Sequence, residues 1–415
     1  MPILLPEDYA FPLPKMHRVR QSFKVSPQIQ IHDTIEAEFQ KEKIRKSIRP
    51  GARVAVAVGS RGIHGIADIV KDTVDQLKSL GADPFIVSAM GSHGGGREEG
   101  QREVLASYGI TEEAMGVEVI TKVDVVTLGS TTKGFTVYFD KTAYEADAVI
   151  PINRIKVHTD FVAKIQSGLC KMLVIGLGNH IGCSAIHEEE FEHFGEIILE
   201  SAQIIMDNVY IPFGIGIIEN SRDKTCHLEA IPSENLIERE VELVQYAIEN
   251  MPKLMIRDID VLIIQEIGKD ISGNGFDPNI VGKSLILKEY ILPVPKVDKM
   301  ILNDLSEKTH GNAVGIGIFD VTTRKVFDQL DLESMYANDI AIKCLDDCKI
   351  PLVAADETEA LLVAIKCLRN VEKDQLKIVK IQNTLDLEHI YVSDALLDEI
   401  RANPMQELVG DHTTE

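Results

Sequence analysis

Between residues 153 and 187 the chain reads NRIKVHTDFVAKIQSGLCKMLVIGLGNHIGCSAIH, and nowhere else do His, Lys, Cys, Asn and closely spaced Gly converge so tightly. Three histidines, His158, His180 and His187, fall in this window. Lys171 follows a Ser-Gly pair and precedes the apolar run 172–175. Desolvation there would depress its pKa and leave a nucleophilic amine, the chemistry of a Schiff base or a tethered cofactor. The same spacing suits a surface lysine whose stem lies along an amphipathic segment. The residue types alone admit both.

Upstream, Gly91-Ser92-His93-Gly94-Gly95-Gly96 places an imidazole between glycines, where a ligand can approach closely and a proton can move near neutral pH. A glycine-rich turn with an incidental polar histidine would look the same, and so would His158 taken singly. The pair is more informative, because two histidines could flank one substrate carbon from opposite sides. No HExxH zinc motif is present, and His187-Glu188-Glu189-Glu190 is not one. Imidazole suits nickel, zinc and copper, so His187 is a candidate ligand, although a hydrogen-bonded histidine is the commoner fate. In Gly176-Leu177-Gly178-Asn179-His180-Ile181-Gly182 the third glycine comes one residue late for a dinucleotide fingerprint, and no first strand precedes it. A loop or helix end that brings backbone near a ligand fits better. Cys344 and Cys348, four apart on an expected helix, read as core.

The elements that must position these groups alternate. Strands are expected at 53–59, 84–89 and 148–153, with helices at 65–80 and roughly 98–108 between them. That order argues for a parallel α/β sheet whose strand C-termini carry the functional loops. Ser60-Arg61, His93 and the trio Arg154, Lys156 and His158 all follow such strand ends. Further on, helices are expected at 194–209 and 235–250 and a strand at 212–219. A second alternation begins at 258, with strands near 313–319, 351–354 and 376–382, helices near 336–347 and 357–369, and a closing helix at 393–402. The fold expected is α/β: two α/β domains, 1–257 and 258–415, with largely parallel sheets and the active site in the cleft between them. The first fifty residues, Pro-rich and then charged, read as an arm on the first domain.

A chain of 415 residues with 45% hydrophobic composition can bury two cores without staples. Six scattered cysteines without a CxxC pair argue against a disulfide framework. A net charge of −22 with no basic stripe disfavours a nucleic-acid partner and points to small-molecule chemistry. The N-terminus lacks the pattern of a signal peptide and no run of some twenty apolar residues occurs, so a cytoplasmic protein without membrane spans is the expectation.

These residues resemble the lactate racemase family, the nickel-dependent racemases and epimerases of 2-hydroxy acids that use a nickel-pincer nucleotide. The resemblance rests on the GxH loop at His93, the segment His158-Thr159-Asp160-Phe161 leading to Ser167-Gly168-Leu169-Cys170-Lys171, the histidine sixteen residues on, and a smaller C-terminal α/β domain. It implies that His93 and His158 are the catalytic pair. Lys171 would bond the cofactor, a pyridinium-3-thioamide-5-thiocarboxylate mononucleotide, and His187 would ligate its nickel. Ser60 and Arg61 would contact the cofactor, and Arg61 and Lys283 the substrate carboxylate, with Lys269 a competitor to Lys283. Enzymes that build the cofactor would be partners, and homo-oligomerisation is left open. The family's DHTR is here Ser60-Arg61-Gly62-Ile63, its SGGRK is SGLCK, and the interval from His158 to Lys171 is three residues longer than expected. Those departures imply a divergent member. Two competitors stand beside this expectation: a nicotinamide-dependent dehydrogenase using the 176–182 loop, and a binding protein that kept the fold without the chemistry.

Overall fold

The apolar run after Arg53 dictates a sheet covered on both faces. Val54, Ala55, Val56 and Ala57 are all fully buried, as strands of a parallel sheet flanked by helices must be. The computed structural model describes residues 3–60 and 62–410. It divides into two compact units: a central unit, Val25–Met251, and a terminal unit made of the residues up to Lys24 and those from Pro252 onward.

In the central unit six strands lie in the order Val119–Ile120, Asp83–Ser88, Arg53–Val58, Ala148–Arg154, Phe213–Glu219 and Thr225–Pro232. All neighbours run parallel except the last pair. From Arg53–Val58 the chain steps outward through Asp83–Ser88 to Val119–Ile120, then returns to the other side with Ala148–Arg154. The strand order therefore reverses between Arg53–Val58 and Ala148–Arg154, and in sheets of this kind ligands bind outside the carboxyl ends at such a reversal. The helix Ile66–Ser79 buries Ile66, Ile69, Val70, Val74 and Leu77, the face its periodicity predicts. A hairpin of Val125–Ser130 with Thr136–Asp140, not expected from the sequence, stands apart from the main sheet.

The terminal unit has an eight-stranded sheet in the order Leu352–Ala354, Val321–Thr323, Lys296–Leu305, Asp258–Ile267, Ile378–Ile381, His389–Ser393, Met16–Gln21 and Gln406–Leu408. Its first five strands are parallel and the last three are added antiparallel. The expected boundaries need correction here. Met16–Gln21 pairs with His389–Ser393 and Gln406–Leu408, so the start of the chain completes the second sheet and is not an arm on the first domain. Its signal is weak because only Val19 and Gln21 of the six residues are buried. The strand expected at 313–319 is a short 3-10 turn, Ile316–Ile318. The strand lies instead at Lys296–Leu305, whose charged start hides the apolar stretch Met300–Leu302. Among the described residues no single helix is long and apolar enough to cross a membrane.

Candidate active site

The strand reversal brings side chains together from three strand ends. Ser60 follows Arg53–Val58; its carbonyl accepts the Tyr108 hydroxyl at 2.7 Å, and its own hydroxyl hydrogen-bonds His93 Nδ1. Arg61 lies outside the described residues. His93 sits exposed on the loop after Asp83–Ser88. Buried Gln101 supports that loop, accepting the Ser88 hydroxyl at 2.6 Å and donating to the Gly91 carbonyl at 3.1 Å. Gly94 has φ +64, and a Cβ there would lie 2.5 Å from the Gln101 amide nitrogen, so only glycine fits.

Beyond Ala148–Arg154 the backbones of Lys156 and Ser167 exchange hydrogen bonds at 2.9 and 3.1 Å, closing the intervening loop. Within it the His158 amide donates to Gln166 Oε1 at 2.8 Å and His158 Nδ1 accepts the Asp160 amide at 3.1 Å. An accepting Nδ1 puts the proton of the neutral ring on Nε2. Arg154 is paired with Glu219, which also accepts the His64 amide at 2.7 Å. Its charge is thereby matched within the protein.

Asn153, on the same strand, donates to the Gly168 carbonyl at 2.8 Å, tying the strand end to the helix Leu169–Lys171. Lys171 is half-buried. The helix continues as a π-helical stretch, Met172–Gly176, and then turns by 105° into Asn179–Ile186. The glycines at 176, 178 and 182 thus lie in and between helices, not after a strand, which removes the basis for a dinucleotide cradle. Gly176 serves packing instead: a Cβ there would lie 2.7 Å from the Ala89 carbonyl oxygen.

His187 closes the second helical arm. Its ring packs against Phe191 and Phe194, with centroids 6.0 and 5.5 Å away. Phe194 lies 5.7 Å from Phe161, which stacks on His158 at 4.4 Å. Two phenylalanines therefore bridge His158 and His187. On its other side His187 acts on Cys183, whose Sγ lies 3.5 Å from Ser92 Oγ. Burial pushes this thiol up, but His187 and Ser92 outweigh it and hold the thiol below its usual range. Ser60, His93, His158 and His187 are thus joined through neighbouring side chains, and Lys171 lies on the helical segment that ends at His187.

The lysines of the terminal unit divide. Lys269 follows the C-terminus of Asp258–Ile267, and its ammonium donates to the Gly273 carbonyl at 2.8 Å. Lys283 lies at the opposite end of the parallel strands: it donates to the Asp298 carbonyl at 2.7 Å, near the start of Lys296–Leu305, and approaches Asp320 at 3.8 Å.

His187 fits a metal ligand by one observation: its Nδ1 is buried and has no hydrogen-bond partner among the described residues. No group of three or more His, Cys, Asp or Glu among the described residues is placed to hold an ion. A metal at His187 would need donors from a bound group, and Lys171, on the same bent helical pair, is chemically suited to bond one.

Several side chains of this site were not read from the sequence as functional. Cys183 stands one turn before His187, a spacing that was legible. His180 packs where a Cβ of Gly96 would otherwise go. Asp140 and Glu240, buried carboxylic acids far away in sequence, carry no local signal.

Site and topology together define an α/β protein with a lysine and histidines at the strand reversal of a parallel sheet. Residues 6–206, just under half of the chain, match the family described as the lactate racemase N-terminal domain. No curated protein matches the chain. Among solved structures it is similar to the lactate racemase apoprotein from Thermoanaerobacterium thermosaccharolyticum, with 14% identity over 93% of this chain and 96% of that one and a TM-score of 0.55. At that identity the likeness is one of fold.

Proposed function

We propose that this chain racemises or epimerises a 2-hydroxy acid with a nickel-pincer nucleotide bonded to Lys171. The observation that carries the reading is the set of contacts linking His93, His158 and His187 beside the strand reversal, with Lys171 on the helical segment that leads to His187. Lys171 would anchor the group and His187 would ligate its nickel. Bound there, the group supplies a site that takes hydride from C2 and returns it.

The histidines move the hydroxyl hydrogen, which leaves as a proton. Ser60 orients the His93 ring through Nδ1, and a hydroxyl can donate or accept, so His93 can start as base or acid. His158, with Nδ1 accepting from the Asp160 amide, is set to present an Nε2 proton, the form that returns a proton to the substrate oxygen. A planar 2-keto acid flanked by the two rings can be rebuilt with either hand. Phe161, backed by Phe194, covers one face of the His158 ring. Of the lysines considered for the substrate carboxylate, Lys269 has the better placement, since ligands of parallel sheets bind at strand C-termini. A cytoplasmic location and a partnership with cofactor-building enzymes belong to the same proposal.

The test is intact-protein mass spectrometry with metal analysis on protein made with nickel in a host carrying those enzymes. A nucleotide-sized increment on Lys171 with near-stoichiometric nickel is expected. An unmodified chain from a host that loads a known racemase would reject the proposal.

A further inference from the structure

The segment carrying Lys171 and His187 meets two buried carboxylic acids that the proposed reaction does not use. Glu240, on the helix Leu236–Asn250, has 0% exposure. Its Oε2 accepts the Cys170 amide at 3.0 Å, while Oε1 is buried with no hydrogen-bond partner among the described residues. The carboxylate occupies the space a side chain at 168 would take: a Cβ on Gly168 would clash with both the Glu240 carboxyl carbon and Oε1. Asp140, 1% exposed, sits at the other break. Its Oδ1 accepts the Ala143 amide at 2.8 Å and its Oδ2 accepts Asn179 Nδ2 at 2.7 Å. Asn179 begins the second arm in a left-handed conformation, φ 52.

A buried carboxyl with an unmatched oxygen costs stability, and leucine or glutamine would fill the space more cheaply. Glu240, with one oxygen unmatched, and Asp140, with both matched, are buried acids that each bond the bent helical pair from outside it, and that placement calls for a reason. We infer that Glu240 and Asp140 are positioning residues that fix the start and the bend of the helical pair, and so set where Lys171 and His187 stand relative to each other. Glu240 and Asn153 grip the first turn from two sides, one on the Cys170 amide and one on the Gly168 carbonyl. Asp140 holds Asn179 where the direction changes by 105°. Burial pushes the two carboxyls up, to about 7 and about 6, against the hydrogen bonds that lower them. The role given to Lys171 rests on the proposed function; the pinning itself does not.

The test combines hydrogen exchange over residues 167–187 with cofactor loading at Lys171, on the full chain. Glu240→Leu and Gly168→Ala, which displaces the carboxylate while keeping it, are expected to speed exchange of the Cys170–Met172 amides about tenfold. Glu240→Gln, which still offers an oxygen to the Cys170 amide, should stay within about twofold of the parent. Asp140→Leu should act in the same way on the amides after Asn179, with Asp140→Asn as its rescue. The Arg53–Val58 strand serves as internal control for folding. Loading, read as the mass increment on the Lys171 peptide, should fall with the Leu variants and return with Gln and Asn. Unchanged exchange in a folded Glu240→Leu protein would overturn the inference. Faster exchange with parent-like loading would overturn its consequence for Lys171. Absence of any increment in the parent would reject the cofactor reading alone, and exchange would still decide the pinning.

Discussion

The two parallel sheets end differently. At the carboxyl end of the central sheet stand His93, exposed on a glycine loop, and His158 and Lys171, half-buried. At the carboxyl end of the terminal sheet the polar groups bond one another: Lys269 with the Gly273 carbonyl, the Ser306 hydroxyl with Asp270, and Thr309 Oγ1 with the Lys269 amide and the Asn312 carbonyl. Proton and bond chemistry needs groups that can exchange partners, and groups that orient a ligand need not. In the proposed reaction the central unit supplies the reacting groups and the terminal unit, at most, orientation.

The sharpest break of that contrast is Lys171→Ala. Cofactor attachment should be abolished, because no other residue supplies the bonding amine, while thermal unfolding stays near the parent's; intact mass checks it. Next come His93→Ala and His158→Ala, each expected to slow interconversion by roughly 10²- to 10⁴-fold, the usual contribution of one positioned acid–base group. Chiral product analysis with loaded protein measures both. Ser60→Ala should cost less than either, since it removes only the partner of His93 Nδ1.

The third effect is on stability. Burial raises the Glu240 carboxyl from its ordinary 4.5 to about 7, so between those values the folded state holds a proton the unfolded chain has released. Stability then falls as pH rises from about 4.5 to about 7, by roughly 3 kcal/mol for this group. In Glu240→Gln that slope disappears, and urea unfolding at pH 5 and pH 8 should show the variant gaining on the parent at the higher pH. Asp140, raised to about 6 from 3.8, adds a decline of the same sign over its own lower range.

What the sequence disclosed about this molecule follows from how local each signal is. The Arg53–Val58 and Asp83–Ser88 strands and the helix between them were legible because continuous apolar runs and a 3.6-residue stripe need only their own residues. The Lys171 to His187 segment stood out by its residue types, yet its two helical arms and 105° bend did not, since the bend is bonded to Asp140, thirty-nine residues before Asn179. Glu240 was invisible for the same reason, being seventy residues from the amide it accepts. Met16–Gln21 failed because its partners lie at the far end of the chain.

The smallest expected effect falls on the terminal unit and tests the contrast from the other side. Lys269 follows a strand C-terminus and Lys283 lies beside strand starts, where burial lowers its pKa and Asp320 partly restores it. If the terminal sheet only orients substrate, Lys269→Ala should raise KM by about tenfold, one charge-assisted hydrogen bond, and leave kcat within a few-fold. Lys283→Ala should leave both constants near the parent's and lower stability instead, through loss of its bond to the Asp298 carbonyl. A fall in kcat for Lys269→Ala comparable to that of His93→Ala would place reacting chemistry on both sheets. A KM effect at Lys283 and none at Lys269 would show that the strand-end rule fails in the terminal unit, and would return the carboxylate to the lysine the sequence first suggested.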